Sequence, residues 1–207
     1  LCLLAETLDG EEDPEVVARL ASRVSGEATR LANIIDDLLD LSRIEANEVP
    51  ESEELPMGAV LDAVLGPLGR LAERKGVALR VDEPDGSLTV LGDRRDLASA
   101  VSNLVENAVK FSEPGSEVRV EVIEDGDWLQ LSVIDRGVGI PSGDLERIFE
   151  RFYRVDRARS RSSGGSGLGL SIVRHVASNH GGSVSVTSVE GEGSTFVLTL
   201  PLAGRVE

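Results

Sequence analysis

The sequence Asp135-Arg136-Gly137-Val138-Gly139-Ile140-Pro141 and the sequence Gly164-Gly165-Ser166-Gly167-Leu168-Gly169-Leu170 bracket an arginine-rich segment of the chain. Glycines at this density let a backbone approach a ligand closely. The second cluster leads into a helical pattern, and the free N–H groups at the start of a helix suit phosphate. One carboxylate, two glycine loops and a helix start together predict a nucleotide pocket.

Other glycine-rich phosphate sites do not fit this sequence. A Walker A loop requires Gly-x-x-x-x-Gly-Lys-Ser/Thr, which is absent. A Rossmann fingerprint requires Gly-x-Gly-x-x-Gly directly after a strand, whereas the second cluster has Gly-x-Gly-x-Gly after a polar run. The Val-Ala-Ile-Lys and His-Arg-Asp motifs of eukaryotic-type protein kinases are also missing. The plain alternative is that the glycines are ordinary turns.

Composition places the chain among soluble globular proteins. Its 207 residues suffice for one medium domain and a smaller element. The net charge of −16 argues against nucleic acid or an anionic membrane surface as the main partner. The single cysteine, Cys2, excludes an internal disulfide and fits a reducing compartment. No apolar run reaches the length of a membrane span. Since the chain begins in mid-pattern without methionine, we expect a piece of a longer protein.

The hydrophobic pattern divides the chain into three regions. Residues 1–47 read as the end of one helix and the whole of a second, which carries a heptad repeat and a broad apolar stripe. Pairing with a second copy, to make four helices, would bury that stripe, and packing against the rest of the same chain is the alternative. Residues 48–56 contain two prolines and four acids and read as a linker. Residues 57–207 form the second domain.

The second domain mixes helical and strand patterns. The pattern predicts helices at residues 57–75, 94–111 and 167–179, and strands at 77–81, 88–91, 118–123, 128–134, 184–189 and 195–200. A Pro-Asp-Gly turn joins the first two strands, and the last four form two antiparallel hairpins. This order predicts an α+β fold, a mixed sheet with helices on one face.

One predicted helix carries an unusual polar face. Asn103, Asn107 and Lys110 lie four and then three residues apart and therefore share one side of the helix, with Glu106 beside them. Asparagine is a mediocre helix former, so two in one helix need a reason. An amide oxygen is a suitable ligand for Mg²⁺, which keeps several waters and shares substrate phosphates. Lys110 could then meet phosphate charge, although a solvated polar face is the simpler alternative.

These motifs carry a resemblance to a known family. The sequence resembles the catalytic half of bacterial sensor histidine kinases, members of the wider GHKL or Bergerat-fold family that includes gyrase-type and heat-shock ATPases. Residues 103–111 match the family's N box, 135–139 its G1 box, 147–156 its F box and 165–170 its G2 box, in the family's order. Residues 1–46 resemble part of the family's dimerisation domain. The sequence of residues 3–8 is similar to that of the phosphate-responsive branch of these sensors.

The resemblance implies ATP and Mg²⁺ as cofactors and a role for each matching position. Asp135 would accept a hydrogen bond from the adenine amino group, and Gly137 and Gly139 would let the purine approach. Asn107 would ligate Mg²⁺ with Asn103 next to it, and Arg154 would contact the γ-phosphate. The full set of expected nucleotide-binding residues is Asn103, Asn107, Lys110, Asp135, Gly137, Gly139, Ile140, Tyr153, Arg154, Gly165, Ser166, Gly167, Leu168, Gly169 and Leu170.

The implied activity is protein-histidine kinase, with Asn103, Glu106 and Arg154 as the expected catalytic residues. The family's phosphoacceptor motif is not in this sequence, and by resemblance it should end just before Leu1. His175 and His180 follow the second glycine cluster and are better explained by capping or surface roles. In the full protein the phosphoryl group would pass from histidine to an aspartate of a response regulator.

Two other functions stay open. One is an ATP hydrolase of the same fold, because Glu106 offers a carboxylate near the amide that replaces the hydrolases' glutamate at position 103. The other is a nucleotide-free dimeric adaptor. The expected partners are a second copy through the helical hairpin and a response-regulator receiver domain. The expected location is the cytoplasmic part of a sensor that reaches the bacterial plasma membrane through its N-terminal regions.

Overall fold

The computed structural model describes residues 13–46, 53–82, 88–155 and 165–205. The predictions for residues 1–8, for the turn at residues 83–87 and for the serine-rich segment at residues 160–163 fall outside these ranges. The described helices are α1 (Pro14–Ala46), α2 (Met57–Lys75), α3 (Arg94–Phe111) and α4 (Gly169–Asn179). The described strands are β1 (Glu53–Pro56), β2 (Ala78–Asp82), β3 (Thr89–Gly92), β4 (Glu117–Asp125), β5 (Trp128–Asp135), β6 (Ser183–Val189) and β7 (Gly193–Pro201).

Five strands form one mixed sheet in the order β2-β4-β5-β7-β6. Strand β2 runs parallel to β4, and every other neighbouring pair is antiparallel. Buried residues alternate along β4 and β5, as expected for a sheet with one covered face. Helices α2, α3 and α4 cover that face and bury their apolar stripes against it. The predicted α+β architecture is therefore confirmed.

A second, two-stranded sheet was not predicted. Strands β1 and β3 pair antiparallel, with Leu55 opposite Val90, and both of these side chains are buried. One prediction was wrong here. Residues 53–56 are part of the folded domain, although their composition is typical of a linker. Strands β2 and β3, which follow each other along the chain, belong to different sheets.

The ends of α3 and α4 are tied together by a buried histidine. Asp93 caps α3, and its carboxylate accepts from the backbone N–H groups of Arg95 and Asp96 at 2.7 and 3.2 Å. His180 is buried, its Nε2 accepts from the backbone N–H of Asp93 at 3.1 Å, and its Nδ1 lies 2.7 Å from the Val176 carbonyl. This geometry places the ring proton on Nδ1 and gives His180 the capping role that the sequence indicated.

The C-terminal end of α1 packs against the sheet domain. Leu41 and Ile44 are buried, and the Asn179 side-chain amide donates to the Ile44 carbonyl at 2.9 Å. Arg43 forms an ion pair of 2.8 Å with Asp96, which is only 1% exposed. The alternative of packing within the same chain is thus realised at this end of the helix. Further back on α1 the apolar stripe is exposed, at Leu31, Ile35, Leu38 and Leu39.

The Arg43–Asp96 ion pair generates a stability prediction. Burial raises the pKa of Asp96 and the charge of Arg43 lowers it, so removal of the arginine leaves a buried carboxylate without its counter-charge. We expect Arg43→Ala to lower the free energy of unfolding at pH 7 by about 2 kcal/mol, less than for a fully buried pair because Arg43 is partly exposed.

The pH dependence of this loss follows from the sign of the Asp96 shift. A raised pKa in the folded state means that the ionised Asp96 carboxylate lowers the free energy of unfolding. This cost is full above the folded-state pKa, and it disappears below the unfolded-state pKa, where the carboxyl is protonated in both states. The loss caused by Arg43→Ala should therefore shrink from pH 7 towards pH 4. Urea unfolding at several pH values measures it, with Arg23→Ala on the exposed side of α1 as the control. Equal losses in the two variants would contradict the assignment.

Candidate functional site

The polar face of α3 meets the start of α4. Asn103, Asn107 and Lys110 are all partly buried, while Leu104 and Val105 on the opposite side are fully buried in the core. The Asn103 side-chain N–H donates to the Ser99 carbonyl at 2.9 Å. A Cβ added at Gly169 would lie 2.3 Å from Asn103 Oδ1. The first residue of α4 therefore lies directly against the Asn103 side chain, which would have to move if this residue were larger than glycine.

Asp135 ends β5 and is 6% exposed. Its Oδ1 accepts from the backbone N–H of Gly137 at 2.8 Å, and its carboxylate also receives hydrogen bonds from the backbone and hydroxyl of Ser194. Burial raises the pKa of Asp135, and these hydrogen bonds oppose the rise. A carboxylate has about four lone-pair positions, so a further donor can still be accepted.

The two glycines after Asp135 lie against protein backbone. A Cβ at Gly137 would lie 2.3 Å from the carbonyl oxygen of Phe111, and one at Gly139 would lie 2.1 Å from that of Val189. Gly139 also has a φ of 66°, which favours glycine. The space that a side chain would fill is thus occupied by protein backbone. The expected approach of a purine to these two positions stays a prediction. Ile140 follows them, and its backbone N–H donates to Ser188 Oγ at 2.8 Å.

The F-box and G2-box segments are tied together beside α3. The backbone N–H of Phe152 donates to the Gly167 carbonyl at 2.8 Å, and Arg154 donates to the Gly165 carbonyl at 2.9 Å. A Cβ at Gly165 would lie 2.7 Å from Lys110 Nζ. Two cations, one from α3 and one from the F box, therefore flank the same glycine. The sequence analysis predicted phosphate binding at these residues.

The rest of the G2 box forms the entry to α4. Ser166 Oγ accepts from the backbone N–H of Leu168 at 3.1 Å, and the Leu168 side chain is fully buried. Leu170 is partly buried and packs against the core. Gly167 has a φ of 78°, and a Cβ there would approach the Phe152 backbone to 2.9 Å. The structure thus brings residues 165–170 next to the α3 face.

Tyr153 has partners within the F-box region. Its hydroxyl donates to Asp144 Oδ1 at 2.5 Å, and the guanidinium of Arg147 lies 4.3 Å from its ring centroid. The hydrogen bond to Asp144 raises the pKa of Tyr153. The expected contact of Tyr153 with phosphate or ribose would require this hydroxyl to change partner, and that contact stays a prediction.

A carboxylate from α1 also reaches the site, and sequence reasoning missed it. Burial raises the pKa of Asp37, and a hydrogen bond with the Ser166 side chain opposes the rise. Burial also raises the pKa of Glu106, with the charge of Asp37 adding to the rise and that of Lys110 opposing it. The pKa of Lys110 is lowered by burial and by the charge of Arg154. No local signal marks Asp37, because its position depends on how α1 packs against the domain.

The ligand set suits a metal that is held mainly by the nucleotide. Within the described ranges, no group of three or more His, Cys, Asp or Glu side chains converges in a way that could hold a metal ion. The amide of Asn107 offers one hard oxygen, and Mg²⁺ characteristically combines one or two protein ligands with waters and substrate phosphates. Asn107 alone therefore fits Mg²⁺ that arrives with phosphate, and it does not fit a permanently bound structural metal.

The Gly137 contact yields a prediction with an internal control. We expect Gly137→Ala to lower the free energy of unfolding by about 2 kcal/mol, because the added methyl group would overlap a backbone carbonyl that cannot rotate away. Gly143→Ala adds the same methyl group where nothing lies within 4 Å, and it should change stability by less than about 0.5 kcal/mol. Urea unfolding measures both, and equal effects would refute the close approach.

No helix in the part of the chain that the structure describes combines the length and apolarity needed to cross a bilayer.

Comparison with known proteins agrees with this geometry. Residues 92–204 match the model of the family described as histidine kinase-, DNA gyrase B- and HSP90-like ATPase. The sensor-like histidine kinase SenX3 of Mycolicibacterium smegmatis is 40% identical over 203 residues, which cover 97% of this chain and 53% of SenX3. The phosphate regulon sensor protein PhoR of Pseudomonas aeruginosa is 36% identical over 179 residues, 86% of this chain and 40% of PhoR.

A solved structure of full-length ShkA in complex with AMPPNP is also similar. It has 28% sequence identity and a TM-score of 0.72, with 94% of this chain and 40% of that chain covered. The chain thus spans about half the length of the curated relatives it matches. Because the family model covers more than half of the chain, including α3, Asp135 and the G2 loop, the chain belongs to the histidine kinase-, DNA gyrase B- and HSP90-like ATPase family.

Proposed function

We propose that this chain is the ATP-binding catalytic region of a sensor histidine kinase. The observation that carries the proposal is the meeting of the α3 polar face, the buried Asp135 and the G2 loop within one family-matched domain. Its relatives SenX3 and PhoR are a sensor-like histidine kinase and a phosphate regulon sensor. The second relative supports the phosphate-responsive branch as the origin of this chain.

The proposed nucleotide contacts follow from the chemistry of each side chain. Asp135 accepts the adenine amino group in a buried position, where an unmatched donor or acceptor is costly. Asn107 ligates Mg²⁺, and Lys110 and Arg154 contact the phosphates. Arg154 is the first choice for the γ-phosphate, because a guanidinium matches phosphate oxygens with two parallel hydrogen bonds. The analogue named in the ShkA structure supports a nucleotide in this fold, since AMPPNP was bound to that relative.

The proposed reaction is phosphoryl transfer to a histidine. An imidazole nitrogen of the acceptor attacks the γ-phosphorus, the bond to the β,γ-bridging oxygen breaks, and ADP leaves. Glu106 takes the imidazole proton, and its raised pKa makes it a stronger base than an ordinary glutamate. Lys110 and Arg154 neutralise the charge that develops on the transferred group. The phosphoryl group then passes to an aspartate of a response regulator.

Phosphohistidine formation tests this proposal. The full-length protein should take up label from [γ-³²P]ATP in a bond that is acid-labile and base-stable. Glu106→Gln should lower the initial rate roughly 100-fold, as is usual for loss of a general base. Glu113→Gln, an exposed carboxylate just beyond the same helix, should leave the rate unchanged. Equal rates in the two variants would remove Glu106 from the mechanism, and a chain without label would refute the kinase assignment.

A second copy of the chain is the proposed partner of α1. Leu31, Ile35, Leu38 and Leu39 are between 42% and 64% exposed, and the first three of them occupy positions of the heptad repeat. Pairing would bury them in a four-helix bundle. Analytical ultracentrifugation should show a dimer that Ile35→Asp dissociates, with Arg23→Asp as the control on the same helix. A monomer at about 100 µM would contradict the pairing, since that concentration lies far above the dissociation constant of a stable dimer.

ATP hydrolysis is the second candidate, because Glu106 could orient water as well as accept a proton from imidazole. A steady-state assay separates the two functions. ATP turnover that is fast without an acceptor histidine, and that is lost in Glu106→Gln, would favour hydrolysis. We further propose that the chain is the cytoplasmic part of a membrane-anchored sensor, which localisation of the full-length protein in fractionated cells would test.

A further inference from the structure

The chain contains 21 basic residues, and only Lys75 and Lys110 among them are lysines. These two lysines are in contact. Lys75 is the last residue of α2, and its Nζ donates to the backbone carbonyl of Val109 at 2.8 Å and to the carbonyl of Lys110 itself. Lys110 is the cation of the α3 polar face. The one other lysine of an arginine-rich chain therefore lies directly behind the lysine assigned to phosphate.

The hydrogen bonds from Lys75 complete the C-terminal end of α3. The last four carbonyls of a helix have no partner within the helix and must find donors elsewhere. Lys75 supplies the donors for two of these four carbonyls, at Val109 and Lys110. The other two are Ala108 O, which accepts from Ser112 N at 3.1 Å and from Ser112 Oγ at 2.7 Å, and Phe111 O, which accepts from Val138 N at 3.3 Å.

The position of Lys75 is fixed by the turn that follows it. Gly76 has a φ of 71° and ends α2, with its N–H donating to the Glu73 carbonyl at 3.0 Å. The Gly76 carbonyl then accepts from the N–H of Gly115 at 2.7 Å, in the loop after α3. Lys75 thus reaches the end of α3 from a segment that is itself hydrogen-bonded to the next loop.

Lysine suits this position better than arginine would. Its compact ammonium group carries three donors that can bridge successive carbonyls, whereas a planar guanidinium spreads its donors over a wider fork. Its charge also opposes the negative end of the α3 dipole. Burial lowers the pKa of Lys75, and the charge of Lys75 is among the causes that lower the pKa of Lys110. The two lysines therefore influence each other electrostatically at the end of α3.

We propose that Lys75 is a positioning residue for the nucleotide phosphates, which it serves by holding the last turn of α3 and the Lys110 side chain that this turn carries. The inference rests on the proposed function, because it needs ATP to bind beside Lys110. Lys75 does not touch the nucleotide. It fixes the backbone from which Lys110 reaches the Gly165 side of the site, and it adds positive potential behind that contact.

Titration calorimetry with ATP and with adenosine tests the inference. Lys75→Met should weaken ATP binding about tenfold, because two helix-terminal carbonyls lose their donor and the phosphate contact loses its support. Adenosine binding should change less than about twofold, since the Asp135 contacts do not involve Lys75. Arg74→Met removes the same charge from the exposed neighbouring residue and should behave like the unmodified chain. Lys75→Arg should recover part of the ATP affinity.

A second measurement uses the unmodified chain and therefore does not require Lys75→Met to fold. The unmodified chain labelled with ¹³C at lysine Cε gives one signal for each of its two lysines, and Mg-ATP should shift both of them. A shift of the Lys110 signal alone, or ATP binding by Lys75→Met equal to that of Arg74→Met, would overturn the inference and leave the proposed function intact. Equal weakening of ATP and adenosine would assign Lys75 a purely structural role and would also overturn it. No ATP binding by the unmodified chain would instead refute the proposed function.

Discussion

The close approach of two glycine loops to α3 is the constraint on which the rest of the site depends. Gly137 lies against the Phe111 carbonyl at the end of this helix, and Gly169 lies against the Asn103 amide in its middle. A side chain at Gly137 would push its loop away from the helix, and one at Gly169 would displace the Asn103 amide. With the loops in place, the partly buried polar face of α3 is flanked by the segment after β5 and by the start of α4.

Side chains of opposite charge lie on two sides of the candidate site. Lys110 and Arg154 bring positive charge to the G2 loop in a chain whose net charge is −16. Glu106 and Asp37 bring negative charge from the other side, and burial raises the pKa of both carboxyls. A triphosphate bound between these groups would be attracted by the two cations and repelled by the two carboxylates. The docking of α1, which supplies Asp37, is therefore electrostatically coupled to the occupancy of the site.

Much of the domain could be predicted from the sequence, because its strongest signals are local. Hydrophobic periodicity located the helices and the strands of the main sheet. The pairing of β1 with β3 could not be predicted, since residues 53–56 have the composition of a linker and only Leu55 is buried there. Strand pairing of this kind is decided by tertiary contacts that leave no local pattern.

The site was predicted less completely than the fold. The glycine clusters and the asparagine helix marked its position, but they did not reveal that backbone carbonyls lie where side chains at Gly137 and Gly139 would be. Asp37 and Lys75 gave no signal, because each acts across a contact between elements that are distant in the sequence. Side chains that support a site from neighbouring elements become visible only when the three-dimensional packing is known.

The central claim is that the polar face of α3 and Asp135 together bind a magnesium-bound adenine nucleotide. Calorimetric titration of the chain with ATP and with GTP, each with and without Mg²⁺, tests this claim most directly. The account predicts one site per chain for Mg-ATP, weaker binding when Mg²⁺ is removed, and binding of Mg-GTP weaker by at least about tenfold, because a buried acceptor is left facing the guanine carbonyl. Equal affinity for ATP and GTP, or no binding of either, would contradict it.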